Sequence, residues 1–385
     1  MFMARSKTSP LTIELDFLED DDEDDIHAPN LETFSALHVL VRHSERWCNV
    51  SLVGATPSVL RHAVIQPIRE NLPLLQHLRV TEGYSTSIPT GQVLDIFRRC
   101  PLLSSIDLQP GAIANALVLP RDQIHRMTMS DAYTTDSLKL LTSTFPTLDR
   151  LDLKLNMGDR ATRFDGHVTS TNIKQLSLTT FEQEHATRLF DNMTLPHLSS
   201  MEIMGLFDKR QRIWERWNQT PLNSFVLRSA CLLTHLRLKW LPISGSQAIS
   251  LLQLIPTLQS LSIEEYTSDR TRRIVLQNQI VTRAFLNRLS VDHGGTALFS
   301  SPLFLPKLRD LTLVMNDLGS DEQALATALS SRWLPDTAYA ETIGVDCLRS
   351  VSITVTGSSA SSGEAFSSLK FLRDVGVQLF LDLKS

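Results

Sequence analysis

The stretch PTLDRLDLKLN, residues 146–156, constrains the fold more than anything else in the chain. Its apolar skeleton returns again and again while the letters between keep changing. PLLQHLRV (73–80), PLLSSIDL (101–108), PHLSSMEI (196–203), PTLQSLSI (256–263) and PKLRDLTLVMN (306–316) keep the same three apolar slots. The first anchors of the phrases are Leu75, Leu103, Ile124, Leu148, Ile173, Leu198, Leu233, Leu258, Leu286, Leu308 and Leu348. Most steps between them are 21 to 28 residues, with longer ones before Leu233 and Leu348.

A period of that length around an L-x-x-L-x-L core is the signature of a leucine-rich repeat. Within RLDLK the side chains alternate, so Leu151 and Leu153 point one way and Arg150, Asp152 and Lys154 the other. One such strand cannot bury its leucines alone, but strands stacked in parallel can. Between the phrases the period changes from 2 to about 3.6. TGQVLDIFRRC (90–100) sets Val93, Leu94 and Phe97 on one helical face. DSLKLLTSTF (136–145) does so with Leu138, Leu141 and Phe145, and SGSQAISLLQLI (244–255) with Ala248, Leu251, Leu252 and Ile255. Asp136 and Ser246 stand as N-caps. The predicted class is α/β: a leucine-rich-repeat solenoid, or horseshoe, with a parallel inner sheet and outer helices.

The repeat consensus places Asn three residues beyond the last strand slot, where it satisfies backbone groups. Asn156 and Asn316 fit, whereas Gly83, Gly111, Phe181, Leu206, Leu241, Tyr266 and Gly294 stand there in other phrases. The expectation is an irregular array with variable turns. Open solenoid ends expose core, so caps are expected at both. Residues 1–68 form the N-terminal cap, with strands at PLTIELDF and RWCNVSL, a helix near Thr33–His43, and an acidic loop at 18–26. Residues 69–356 are repeats. In the cap 357–385, Phe366, Leu369 and Leu372 face inward from a helix, Gly376 ends it, and Val377, Leu379, Leu381 and Leu383 alternate in a strand.

Charge narrows the function. The net charge of −5 owes much to EDDDEDD (Glu19–Asp25); without that run the chain has 37 basic against 35 acidic residues. A near-neutral body argues against a nucleic-acid or membrane-surface protein, which needs a one-signed face. The run itself reads as a solvated insertion. The uncharged stretch Leu241–Ile263 contains Pro242, Gly245 and Pro256 and is no membrane span. No leader pattern opens the chain, so a cytoplasmic or nuclear location is expected, and the sequons at Asn49, Asn192 and Asn218 are chance matches. Cys48, Cys100, Cys231 and Cys347 form no CxxC, and Cys100 takes a slot that other phrases give to Phe145, Leu195, Ile255 or Leu305. It reads as a small buried hydrophobe.

No GxSxG, HExxH, P-loop or GxGxxG motif occurs, and the acidic run lacks the glycine and final Glu of an EF-hand. No catalytic residue, cofactor or metal ligand is therefore assigned. His77 and His235 share the inner-face slot but lie about six strands apart, roughly 29 Å, too far for one metal or one catalytic pair. Trp214 and Trp217 are expected to pack an outer helix against the array.

What remains are the changing letters on the inner face: His77, Arg79, Asp107, Arg126, Arg150, Asp152, Lys154, Glu202, Met204, His235, Arg237, Lys239, Glu264, Arg288, Asp292 and Asp310. Both signs are interspersed, which suits a protein partner or, more simply, keeps an exposed sheet soluble through pairs such as Arg79 with Asp107. His235, Arg237 and Lys239 are the foremost candidates for partner binding, because Glu202 on the preceding strand can neutralise only one of them. Arg150, Asp152, Lys154 and Glu202 complete the candidate set.

ARSKTSPLTIELDF (4–17), HSERWCNVSL (43–52), FVLRSACLLTHLRLKWLPISGSQAISLLQLIPTLQSLSIEE (225–265) and the C-terminal cap together resemble the leucine-rich-repeat portion of basidiomycete F-box proteins. The resemblance covers nearly the whole chain. It implies that the repeats hold a substrate protein. It also implies that an F-box ahead of them binds the Skp-type adaptor of a cullin ubiquitin ligase. The F-box pattern itself, Leu-Pro, an amphipathic helix, then a Cys or Val, Arg and Trp cluster, is not found. Residue 1 falls about where an F-box would end, and Arg46 and Trp47 lie too late and lead into a strand. Adaptor binding is expected only if an F-box stands upstream. The alternative is a free-standing repeat scaffold with no ubiquitin role.

Overall fold

The computed structural model describes residues 6–17, 31–83, 92–132, 134–141, 145–155, 166–206, 217–266, 279–293, 303–316, 321–356, 369, 373 and 376–384. The chain divides into two compact units, Met1–Val168 and Thr169–Ser385. In the first, six strands pair in parallel and in chain order: β1 (Leu11–Asp16), β2 (Trp47–Ala55), β3 (His77–Glu82), β4 (Ser105–Leu108), β5 (Arg126–Ala132) and β6 (Arg150–Leu155). In the second, seven do the same: β7 (Gln175–Thr180), β8 (Ser200–Gly205), β9 (His235–Lys239), β10 (Ser260–Glu264), β11 (Asp310–Asn316), β12 (Ser350–Thr356) and β13 (Gln378–Lys384). Parallel neighbours need a crossover connection. In the second unit the helices Gln183–Asp191, Thr220–Ser229, Gly245–Gln253, Arg283–Leu289 and Glu322–Ser331 provide it. Each unit is thus an α/β solenoid segment of leucine-rich-repeat type, as the period of the phrases predicts.

The register explains the recurring slots. Leu78, Ile106, Met127 and Leu151 stand opposite one another across β3 to β6, and Val80, Leu108, Met129 and Leu153 form the next row. In the second unit Leu176, Met201, Leu236, Leu261, Leu311 and Val351 make the equivalent row. Every member is buried, and so are all eleven anchors of the phrases. Each row is a strip of apolar contact at the strand spacing, which no single strand could keep from water.

Two connecting segments depart from expectation. Residues 92–100 form no helix: Leu94 N–H donates to the Ala116 carbonyl and Val118 N–H to the Leu94 carbonyl, a short parallel bridge that occupies the backbone. Leu94 and Phe97 are buried, but Val93 faces solvent. Conversely, the phrase at Leu286 is not a strand. It lies in the helix Arg283–Leu289, and β10 pairs directly with β11. The spacing Leu286, Leu289, Val291 fits both a strand phrase and one helical face. Local capping decides, since the Thr282 side chain accepts from Phe285 N–H. Arg288 accordingly leaves the inner face and lies 5.5 Å from the Phe304 ring centroid.

Caps shift by a residue or two. Ser244, not Ser246, caps Gly245–Gln253 in a reciprocal box with Gln247. Asp136 lies inside the first turn of Thr134–Leu141, paired with Lys139, rather than before it. β1 and β2 flank a helix at Leu31–Val41, close to the span Thr33–His43 that the sequence suggests. Gly376 has φ of +101° just before β13, the left-handed conformation that a helix-ending glycine supplies. The acidic run, Asn156, Trp214, Phe366 and Leu372 lie outside the described residues.

Where the consensus Asn is missing, other groups hold the turns. The Glu82 carboxylate accepts from Ile113 N–H at 2.6 Å, and Glu265 accepts from Ile280 and Val281 N–H at 2.8 Å each. Three arginines bind backbone carbonyls of neighbouring turns. Arg46 reaches Ser6 and Ser9, Arg228 reaches Phe190 and Met193, and buried Arg332 reaches Leu289, Leu305 and Phe304. Burial lowers the Arg332 guanidinium to about 10, still charged at neutral pH. Its donors satisfy carbonyls that would otherwise be orphaned inside the protein.

Candidate functional site: the inner face of the sheet

Strand alternation sends one side-chain set into the core and the other onto the open face. The open face therefore carries the chemistry left to this protein. In the first unit the register aligns Glu14, Ser51, Arg79, Asp107, Thr128 and Asp152 in one row. The row beside it carries Thr12, Asn49, His77, Ser105, Arg126 and Arg150.

The predicted pair forms: Arg79 Nε lies 3.6 Å from Asp107 Oδ2, and Ser130 Oγ donates to the other Asp107 oxygen at 2.9 Å. His77 Nδ1 lies 3.1 Å from Ser105 Oγ. Partial burial pushes the His77 imidazole below its ordinary value; Asp107 opposes the shift, while Arg126 and Arg79 add to it. His77 is therefore neutral at pH 7.

Asp152 corrects an expectation. It was placed in solvent with Arg150 and Lys154, yet the residue is 8% exposed. Arg126 Nη2 approaches its Oδ2 at 3.0 Å and Arg150 Nε at 3.2 Å. The two guanidinium groups cover the carboxylate from the neighbouring and the same strand, while their own side chains stay 49% and 43% exposed. Lys154 is exposed and makes no ion pair among the described residues.

In the second unit the triplet on β9 also differs from expectation. His235 and Arg237 are exposed, and the His235 ring is 2.9 Å from Thr234 Oγ1. Glu202 reaches Arg237 at 3.5 Å, as expected. Glu264, opposite Lys239 in the register, adds a second carboxylate. It lies 3.0 Å from Lys239 and 3.4 Å from Arg237. Lys239 is also 4.1 Å from the Trp240 ring centroid, and its side chain is only 18% exposed. Two carboxylates thus meet two full cations, and the positive surplus read from β9 alone is cancelled by the next strand.

Trp240 turns the chain out of β9 at φ +55°. Its carbonyl passes so close to Gly205 that a Cβ there would sit 2.5 Å from the oxygen, which fixes glycine at the end of β8. From β10 on the face carries small hydroxylated side chains, with Ser262, Thr312 and Ser352 in one row and Ser260 and Ser350 on either side of Asp310 in the next. Phe380 stands opposite Ser352 on β13, 64% exposed. Asp310 is exposed on the same face.

Sequence reasoning missed the burial of Asp152 and the role of Glu264. Both follow from cross-strand register, which a single phrase does not contain. Trp217 is buried, but in the segment just ahead of the helix Thr220–Ser229 rather than on an outer helix. Cys100 is buried too, and burial raises its thiol to about 12, which leaves it inert at neutral pH. Among the described residues no group of three or more His, Cys, Asp and Glu side chains is placed to hold a metal ion, and no helix is long and apolar enough to cross a membrane. A comparison with models of known protein families and with curated proteins found no match for this chain.

Proposed function

We propose that the chain is a protein–protein interaction module that binds a protein partner on the open inner face of its parallel sheet. The observation that carries this reading is the face itself. It is polar, it bears paired charges of both signs whose arginines stay largely exposed, and the apolar rows behind it form the core. A rigid sheet presenting fixed polar groups supplies complementarity with little ordering cost on binding. Neither the mixed signs nor the near-neutral body suits a phosphate backbone.

Within that reading, the resemblance of the sequence to the repeats of basidiomycete F-box proteins supports a finer one. The repeats would recognise a substrate of an F-box-type ubiquitin ligase. Residues 1–385 would then not bind a Skp-type adaptor by themselves, whereas a form carrying an upstream F-box would. The alternative, a free-standing scaffold with no ubiquitin role, rests on the lack of an F-box pattern within these residues.

Capture from native cell extract tests the module, comparing the wild type with a face variant, Arg237→Glu with Glu202→Lys, and a Leu227→Lys control. Leu227 is an exposed position on the helix Thr220–Ser229. The reading requires that the face variant alone lose the captured partner. Loss with the helix control alone would move the site off the sheet. Stoichiometric co-purification of the present chain with the adaptor would overturn the expectation about the F-box.

A further inference from the structure

We propose that Arg126, Arg150 and Lys154, on β5 and β6, form the docking strip for an acidic peptide segment of the protein partner. The proposal rests on the inner face being the binding surface and adds where on it, and to what chemistry, the partner is held.

The first observation is a local imbalance of charge. Of the three basic side chains, Arg126 and Arg150 pair with one carboxylate, Asp152, and Lys154 makes no ion pair among the described residues. Asp149, just ahead of β6, makes no ion pair with any described residue. Of the other acids whose side chains are described on this face, Asp107 is engaged by Arg79 and Ser130, and Glu14 and Asp16 stand on β1. At roughly 4.8 Å per strand, β1 is about 20 Å from β5, beyond two Debye lengths in physiological salt. The face of this unit is therefore polarised, with acids at its first strand and bases at its last two.

The second observation is the state of the donors. Asp152 takes Nε and Nη2 of Arg126 but only Nε of Arg150. Both terminal amino groups of Arg150, and Nη1 of Arg126, donate to no described residue. Guanidinium edges with free parallel N–H groups match a carboxylate in two-point contact. The nearly buried Asp152 holds both arginines in place, so less side-chain freedom is lost when a ligand carboxylate arrives. Lys154 adds an exposed cation farther along β6. By contrast, the cluster on β8 to β10 has already matched its full cations with Glu202 and Glu264. Three cations on a face that also bears acids are too few for a nucleic-acid track, which needs an extended one-signed stripe, but suffice for a short run of Asp or Glu.

The probe is a fluorescein-labelled poly-glutamate peptide, followed by anisotropy against the full chain, with labelled poly-uridine RNA as the competing polyanion. Two variants are compared. Lys154→Gln removes a charge that makes no ion pair among the described residues. The triple variant Arg126→Gln, Arg150→Gln, Asp152→Asn removes the strip while leaving no unpaired buried carboxylate. The expected result is binding that weakens with salt, falls about threefold in Lys154→Gln and about tenfold or more in the triple variant. Failure of the wild type to bind at low salt, or unchanged binding by both variants, would overturn the proposal. So would RNA binding as tight as the peptide and lost in the same variants, which would make the strip a general polyanion site. If the triple variant misfolds, Lys154→Gln decides alone. Should these variants leave capture of the natural partner intact while Arg237→Glu with Glu202→Lys abolishes it, this inference falls and the inner-face module stands.

Discussion

Two charge clusters on the same kind of sheet face have opposite outcomes. On β8 to β10, Arg237 and Lys239 are closed by Glu202 and Glu264, with Lys239 lying against Trp240. On β5 and β6, Arg126 and Arg150 share Asp152, and Lys154 makes no ion pair among the described residues. Read one strand at a time, the first looks the more basic, because HLRLK carries three basic-type side chains and RLDLK carries its own acid. Register reverses the order: β10 brings a carboxylate to β9, whereas β5 brings another arginine to β6. The charge of a sheet face belongs to its rows, not to its strands.

The comparison assumes that the two clusters rest on equivalent cores, and the largest expected effect checks that. Leu151→Ala and Leu238→Ala each truncate a fully buried leucine and should each cost about 2–5 kcal/mol. Hydrogen exchange within each unit, with denaturant melts, measures both. Disparate costs would mean that the supports differ and that the charges are not the relevant contrast.

The next effect separates the clusters. Asp152→Ala removes a nearly buried carboxylate from two arginines and should cost about 1–2 kcal/mol. Glu264→Ala, on a more open pair, should cost about 1 kcal/mol or less. The same melts rank them, and the reverse order would break the assignment of Asp152 as the organising group.

A smaller effect concerns pH. Because the folded chain holds His77 below its ordinary value of 6.5, the unfolded chain binds the proton first as pH falls. Stability is therefore full above about 6.5 and declines as pH drops through the lower folded value. His77→Gln should flatten this part of the pH–stability curve. An unaltered slope would show that neither burial nor the neighbouring arginines hold the His77 imidazole below its ordinary value.

The smallest expected effect is Lys154→Gln on stability, within about 0.5 kcal/mol, since the side chain is exposed and makes no ion pair among the described residues. A larger loss in a thermal melt would give Lys154 a structural role and remove it from the docking strip.

Much of the fold was legible because its period was. The apolar slots of PTLDRLDLKLN and its relatives mark buried positions, and the strand direction and chain-order pairing follow from burying them. The phrase at Leu286 was misread because apolar residues at steps of three and two satisfy a strand phrase and a helix face alike. Thr282 and Glu265, outside the phrase, decide between them. TGQVLDIFRRC misled in the opposite direction, because a bridge from Leu94 to Leu117 takes the backbone that a helix would have used. The candidate site was legible only as a list of outward residues. Which carboxylate closes which cation depends on the neighbour across the ladder, some 25 residues away in sequence for Arg237 and Glu264 or Arg126 and Asp152.

The most direct test is a matched pair of neutralisations, Lys154→Gln and Lys239→Gln. It measures the association rate of the poly-glutamate peptide at low and at physiological salt. The account predicts that Lys154→Gln slows association and flattens its salt dependence, while Lys239→Gln, already closed by Glu264, changes either quantity far less. Equal slowing by both, or slowing by Lys239→Gln alone, would contradict the view that cross-strand register moves the attractive charge from β9 to β5 and β6.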